Sequence, residues 1–293
     1  MRIVKNAVAM GFFDGVHLGH RYVLEKVWAF SCKGYSPVIF TFEPEAVKIK
    51  ASGKNGYIYT AGEKQRIFER CGFDSVYSPS FPEICDLSGE EFAERILAGK
   101  MNAAAVCCGE DFRFGKGASC GIGELCSFGE KYGFEVCTAK KVRLGGTVVS
   151  SGEIRRCLIS GDIERANIFL DRPYTIDKKV VHGASLGHTI GFPTANQIYE
   201  EGQLVPKFGV YASETEVNGR LYPSMTNIGI KPTVDYGGKP LAETYISGFS
   251  RDIYDTRIQV RLKRFIRPEQ KFGSVEELKN QIRHDVESAI ENS

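Results

Sequence analysis

Gly11-Phe12-Phe13-Asp14-Gly15-Val16-His17-Leu18-Gly19-His20 is the stretch on which the reading of this chain turns. It follows the short apolar run Ala7-Val8-Ala9-Met10 and precedes Val23, Leu24, Val27 and Phe30, which recur at helical spacing, so it joins a strand to a helix. An open α/β sheet binds its ligand at such a junction. Glycines let the backbone approach a phosphate closely, and the free N–H groups of a helix start attract an anion. His17 and His20, three residues apart, face the same side of the first helical turn. Three readings of the residues are open at this point. They could form a turn whose histidines are satisfied polar groups, a two-histidine metal site with no third protein ligand indicated nearby, or a phosphate loop.

The alternation continues outward. Pro37-Val38-Ile39-Phe40-Thr41-Phe42 reads as a buried strand, Glu63 to Cys71 as a helix, Asp74 to Tyr77 as a strand, Gly89 to Leu97 as a helix, and Ala103 to Cys108 as an apolar run bounded by glycine. Strands alternating with helices predict a parallel α/β sheet. Ser150-Ser151-Gly152-Glu153 has the Ser-x-x-Glu spacing of a capping box, so a helix begins there and runs through Ile154, Leu158 and Ile159 towards Gly161. Asp162 to Leu170 continues helically until Arg172-Pro173, which sets the expected domains at 1–170 and 171–293. Beyond the junction the period changes from 3.6 to 2, at Ile176, Lys178 and Val180, then over Gly209 to Val217, Thr244 to Gly248 and Thr256 to Leu262. Asn218-Gly219 is a two-residue hairpin signal, and an all-β barrel is the expectation. Ser274-Val275-Glu276-Glu277 opens a terminal amphipathic helix with Leu278, Ile282, Val286 and Ile290 on one stripe.

Composition narrows the class. A chain of 293 residues exceeds what one core usually organises, and 42% hydrophobic with 25% charged residues is the balance of a soluble globular protein. A net charge of +2 gives no broad positive field for nucleic acid. No stretch approaches the ~20 apolar residues that span a bilayer, and the start Met-Arg-Ile-Val-Lys-Asn lacks a secretion signal, so cytoplasmic localisation is expected. The nine cysteines, an odd number between Cys32 and Cys157 with no Cys-x-x-Cys pair, read as reduced thiols. The chain shows no internal repeat and no low-complexity segment.

The opening decapeptide fills every fixed position of GxFDGVHxGH and so resembles the bacterial FAD synthetases, a branch of the HxGH nucleotidylyltransferases. The resemblance implies a Rossmann-like domain in which Gly11, Phe13, Asp14, Gly15 and Gly19 hold ATP. His17 and His20 would act as catalytic residues that contact its phosphates and stabilise the leaving pyrophosphate. The FMN phosphate would attack the α-phosphorus directly, without a protein nucleophile. Gly109-Glu110-Asp111-Phe112-Arg113-Phe114-Gly115 resembles the GxxFxFG loop of that family, which brings in Asp111. Ser150 to Arg155 resembles its SSTxIR segment, which brings in Ser150, Ser151 and Arg155. Three departures stand out: Gly152 replaces the threonine, Glu43-Pro44-Glu45 stands where relatives carry proline and histidine, and Cys120-Gly121-Ile122-Gly123 matches the segment after the loop poorly.

In the second half, Gly183-Ala184-Ser185-Leu186-Gly187-His188-Thr189-Ile190-Gly191-Phe192-Pro193-Thr194-Ala195-Asn196 spaces three glycines four apart before a proline-bounded polar pair. Neither the spacing nor the missing lysine fits a Walker P-loop. On physics alone it is either a phosphate cradle or a long crossover. The string resembles the GxxxGxxxGxPTAN signature of riboflavin kinases, which implies a six-stranded barrel with a terminal helix. By that resemblance Gly183, Gly187, Gly191 and Pro193 hold ATP, and Thr194 and Asn196 position Mg²⁺ and the nucleotide. Glu243, in Glu243-Thr244-Tyr245-Ile246, would be the base for the ribityl hydroxyl, with Tyr245 where the family has histidine. Asn227-Ile228-Gly229-Ile230-Lys231-Pro232-Thr233 resembles an NIGxxPT turn, and Arg264 to Phe272 a late-strand segment near the flavin.

Together the resemblances imply a bifunctional enzyme that makes FMN and then FAD. Riboflavin, FMN and ATP would be its small-molecule partners, with no nucleic acid and no membrane, and the sequence is silent on oligomeric state. Two rivals stand beside this reading: a riboflavin kinase with an impaired first domain, and a flavin-binding regulator without turnover.

Overall fold

Strand alternation decides how the first half packs. Ala7 and Ala9 point to one face of their strand, where they meet Val23, Leu24, Val27 and Phe68, and Val8 and Met10 point to the other, where they meet Phe92, Leu97 and Leu125. A strand buried on both faces belongs inside a sheet covered by two helical layers. The computed structural model describes residues 4–42, 56–183, 191–230 and 238–291. The chain divides into two compact units, Met1–Ser151 and Gly152–Ser293.

The first unit runs β1 (Asn6–Met10), α1 (Leu18–Ala29), β2 (Ser36–Phe40), α2 (Ala61–Arg70), β3 (Val76–Tyr77), α3 (Phe81–Ile84), α4 (Gly89–Glu91), β4 (Ala103–Gly109), α5 (Ile122–Tyr132) and β5 (Glu135–Ala139). Its five strands form the expected parallel sheet in the order β3-β2-β1-β4-β5. The order reverses beside β1, and the Gly11–His20 loop leaves β1 at that reversal, where neighbouring connections diverge and leave a crevice. α4 passes directly into a wider turn of helix over Phe92–Lys100, closed by Met101 N–H donating to Ile96 O at 2.8 Å. A small hairpin, β6 (Arg143–Leu144) with β7 (Thr147–Val148), ends the unit.

α6 (Ser151–Ser160) starts at the last residue of the first unit, and α7 (Ile163–Leu170) follows it in the second. The Asn167 side chain donates to Leu262 O at 2.9 Å and accepts from Tyr174 N–H at 2.7 Å, which fastens α7 to the β structure that follows. That structure comprises β8 (Tyr174–Lys179), β9 (Thr194–Ile198), β10 (Gly209–Val217), β11 (Arg220–Ile230), β12 (Pro240–Ile246) and β13 (Arg257–Arg267), in the antiparallel order β8-β13-β10-β11-β12-β9. The edges meet where Val181 N–H donates to Asn196 O at 2.8 Å and the Gln197 side chain donates to Lys178 O at 2.9 Å, so the sheet curls onto itself. Asn218 and Gly219, at φ +50° and +78°, make the expected type I′ turn between β10 and β11. Inside, the hydroxyls of Thr215, Ser224, Ser213, Thr226 and Thr244 form one buried chain of hydrogen bonds at 2.8 to 3.0 Å.

The terminal helix α8 (Val275–Glu291) packs on Val210, Ala212 and Met225 through Ile282, Val286 and Ala289. The expected stripe is corrected at its end: Ala289 is buried and Ile290 is 39% exposed, because a straight helix drifts from a strict four-residue repeat. Asn227 to Ile230 is likewise β11 strand rather than turn, since all four residues pair with β12, and Asn227 and Ile228 pair with β10 as well. Lys231 to Thr233 lies outside the described residues. No helix among the described residues is long and apolar enough to cross a membrane.

Phe40 is fully buried and meets Phe42 and Phe92 edge-on at 5.1 and 5.3 Å. Phe40→Ala is expected to destabilise the first unit by about 3 to 5 kcal/mol, read from its chemical unfolding midpoint.

Candidate active sites

The end of β1 is conformationally unusual. Phe13, Gly15 and Val16 have φ of +54°, +84° and +42°, and for a β-branched residue such as Val16 this is a genuine outlier. Several bonds hold the loop there. The Asp14 carboxylate, 1% exposed, accepts from Ile58 N–H at 2.9 Å, and Ser151 Oγ donates to Asp14 O at 2.8 Å. The Phe13 ring is buried against Phe68 and His20 at 5.8 and 5.3 Å. Asp14 and Phe13 therefore face inward and shape the loop from beneath.

His17 is the N-cap of α1, and its Nδ1 accepts from His20 N–H at 3.3 Å. With Nδ1 so engaged, the N–H of the neutral ring sits on Nε2. The His17 and His20 rings stack at 3.6 Å and 14°, so the expectation that they share a side is met with the rings in contact. Two imidazoles and a helix N-terminus at one spot suit an anion. Among the described residues no group of three His, Cys, Asp or Glu side chains is placed to hold a metal.

Beyond β4, Phe112 and Phe114 stack at 6.2 Å, and Phe114 and Cys120 exchange backbone hydrogen bonds at 3.1 Å, which closes the glycine loop before α5. Asp111 is exposed and pairs with Lys141 at 2.9 Å. Ser150 directly precedes α6, Gly152 is exposed in its first turn, and Arg155 lies half-buried farther along it. Glu43-Pro44-Glu45 falls outside the described residues.

The second unit brings Asn227, Glu243 and Asn196 into one row. Glu243 on β12 is the register partner of Asn227 on β11 and of Asn196 on β9, and directly paired residues share a face. Glu243 lines a cavity of about 280 Å³ with Thr194, Asn227, Tyr245, Phe192, Arg267 and Asp285. A second cavity, about 380 Å³, is lined by Val180, Pro193, Thr194, Phe249, Arg251 and Tyr254, and the His182 and Tyr254 rings stack at 3.8 Å. Thr194 lies in the wall of both cavities. Asn196 is buried, and its Oδ1 has no hydrogen-bond partner among the described residues. A methyl group on Gly183 would collide with the Asn196 amide, which explains a glycine there. Gly191 has φ +86°, and Gly187 lies outside the described residues.

Comparison with known proteins covers both units. A family model described as FAD synthetase matches residues 3–153, and one described as riboflavin kinase matches residues 170–292. The bifunctional riboflavin kinase/FMN adenylyltransferase of Escherichia coli K12 is 36% identical over 97% of this chain and 91% of its own length. This chain belongs to that family. The Bacillus subtilis member is 34% identical over 98% of this chain and 92% of its own length. The crystal structure of a macrolide-efflux protein from Streptococcus pneumoniae has a TM-score of 0.83 at 28% identity, covering 97% of this chain and 94% of that one.

Tyr245 lines the Glu243 cavity, with Phe192 edge-on at 5.5 Å. Sequence reasoning passed over three residues that build the sites. Lys64 sits buried beneath the first loop. Asn227, read as part of a turn, flanks Glu243. Asp285, 1% exposed on α8, accepts from Arg267 Nε at 3.0 Å and from Arg267 Nη2 at 2.6 Å, beside the cavity. The signal for Lys64 was its place four residues before Phe68 on the core-facing stripe of α2; Asp285 gave none, since its partner is 18 residues away on another element. Asp285→Ala, which strands the Arg267 charge, is expected to cost about 3 to 5 kcal/mol, measured by thermal unfolding.

Proposed function

We propose that this chain makes both flavin nucleotides: the second unit phosphorylates riboflavin to FMN with ATP, and the first adenylylates FMN to FAD and releases pyrophosphate. The observation that carries the kinase reading is the wall shared by the two cavities. Phosphoryl transfer requires an acceptor hydroxyl and the donor phosphate to meet in line. Thr194 stands between a cavity holding Glu243 and a neighbouring one, lined by Arg251 and Tyr254, which this reading gives to the nucleotide. Glu243 accepts or orients the proton of the ribityl hydroxyl. Gly183, Gly187, Gly191 and Pro193 cradle the ATP phosphates. Thr194 and Asn196 would hold Mg²⁺: Asn196 Oδ1, unpartnered among the described residues, and a hydroxyl are the hard oxygen donors that ion takes, and it would supply charge neutralisation on the phosphates.

For adenylyl transfer, His17 and His20 at the start of α1 bind the ATP phosphates and stabilise charge developing on pyrophosphate. Gly11, Phe13, Gly15 and Gly19 shape the loop, Asp14 and Ser151 fix its backbone, and Asp111, Ser150 and Arg155 complete the anion contacts. The proposed division gives adenylylation to residues 1–170 and phosphorylation to 171–293, which puts α6 and α7, the first helices after the compact first unit, on the adenylylation side. Nine free cysteines support a reducing, cytoplasmic setting.

Separate assays test the division. Glu243→Gln is expected to lower FMN formation from riboflavin by about 10²-fold or more while FMN-to-FAD conversion stays at the wild-type level. His20→Ala is expected to do the reverse, by a similar factor of about 10². Chelating Mg²⁺ should stop FMN formation. Wild-type protein that makes FMN but no FAD would return the impaired-domain rival, and flavin binding without ATP consumption the regulator.

A further inference from the structure

We propose that Lys64 is a positioning residue for adenylyl transfer, its ammonium cross-tying the loop that carries His17 and His20 to the end of β2. The proposal rests on the adenylylation reading of the first unit. Lys64 is 2% exposed, on the core-facing stripe of α2 four residues before Phe68. Its Nζ donates to Phe12 O at 3.1 Å, to Phe42 O at 3.2 Å and to Thr41 Oγ1 at 3.4 Å, and lies 4.6 Å from the centre of the Phe12 ring. Thr41 Oγ1 in turn donates to Phe12 O at 3.0 Å, so that one carbonyl receives two bonds.

Packing alone does not account for a lysine here. A buried ammonium is costly to desolvate, and an apolar chain of the same length would fill the space without that cost. What the ammonium adds is direction, since it reaches acceptors on two separate loops and faces the Phe12 ring. Phe12 directly precedes the positive-φ run of Phe13, Gly15 and Val16. Such backbone persists only where its surroundings over-determine it. Lys64 holds one end of that run, and the bonds to Asp14 hold its middle. Lys64 lines a cavity of about 250 Å³ with Thr41, Phe42, Gln65 and Phe68, but its Nζ is bonded to three protein oxygens, so it acts on the histidines through Phe12.

The test uses the full chain, in which FMN formation by the second unit is an internal control. Lys64→Met is expected to lower kcat for FAD formation about 30- to 100-fold with the KM for ATP shifted by less than about threefold, as for a misplacement on the order of 1 Å. Lys64→Arg, which keeps charge and donors, should recover FAD formation to within about tenfold of wild type, and Thr41→Val should lose about three- to tenfold. FMN formation should be unchanged in all three. FAD formation by Lys64→Met within about twofold of wild type overturns the proposal. So does loss of the first unit's folded transition in Lys64→Met with no recovery in Lys64→Arg and no effect of Thr41→Val, the signature of a purely structural lysine. Wild-type protein that makes FMN but no FAD overturns the adenylylation reading, and this proposal with it, whereas a wild type active in both and an active Lys64→Met overturn this proposal alone.

Discussion

Between β1 and α1 the backbone passes through φ of +54° at Phe13, +84° at Gly15 and +42° at Val16, and much of the first unit is arranged around holding it there. Each non-glycine residue in that region is disfavoured by steric contact between its Cβ and the backbone. The loop is therefore stable only because its neighbours leave no alternative. Ile58 and Ser151 bind Asp14, Lys64 and Thr41 bind Phe12, and Phe68 packs on Phe13. The outcome is a helix start at which His17 caps α1 and stacks on His20. On the proposed adenylylation reading this rigidity has a use, because donors already in place need not reorganise as charge develops.

The second unit reaches a comparable end by another route. Its candidate row, Asn227, Glu243 and Asn196, is set by strand register across β11, β12 and β9, and a one-residue slip of any one strand would turn its member to the opposite face. Curling of the sheet brings its edges together at Val181 and Asn196, and the two cavities flank Thr194 beside that seam. The buried hydroxyl chain inside the barrel and the Asp285–Arg267 pair between α8 and β13 keep that register and hold the wall of the Glu243 cavity.

The amino-acid sequence by itself determined the change from a helical to a two-residue period near Arg172-Pro173, the strand-loop-helix around Gly11 to His20, the Asn218-Gly219 turn and the terminal helix. These depend on neighbours within a few positions, where steric and periodic rules act directly. The candidate residues His17, His20, Glu243, Thr194 and Asn196 could be picked out for the same reason, since they stand in short strings with fixed spacing. Only the tertiary structure decided what lay across elements: that Asp14 is occupied by Ile58 44 residues away, that Lys64 turns inward to Phe12, that Asn227 stands in a strand beside Glu243, and that Ala289 rather than Ile290 meets the barrel. Those facts follow from which chain segments are brought together by burial of the two cores. A linear pattern names the residues that can bond or pack, and the fold selects their partners.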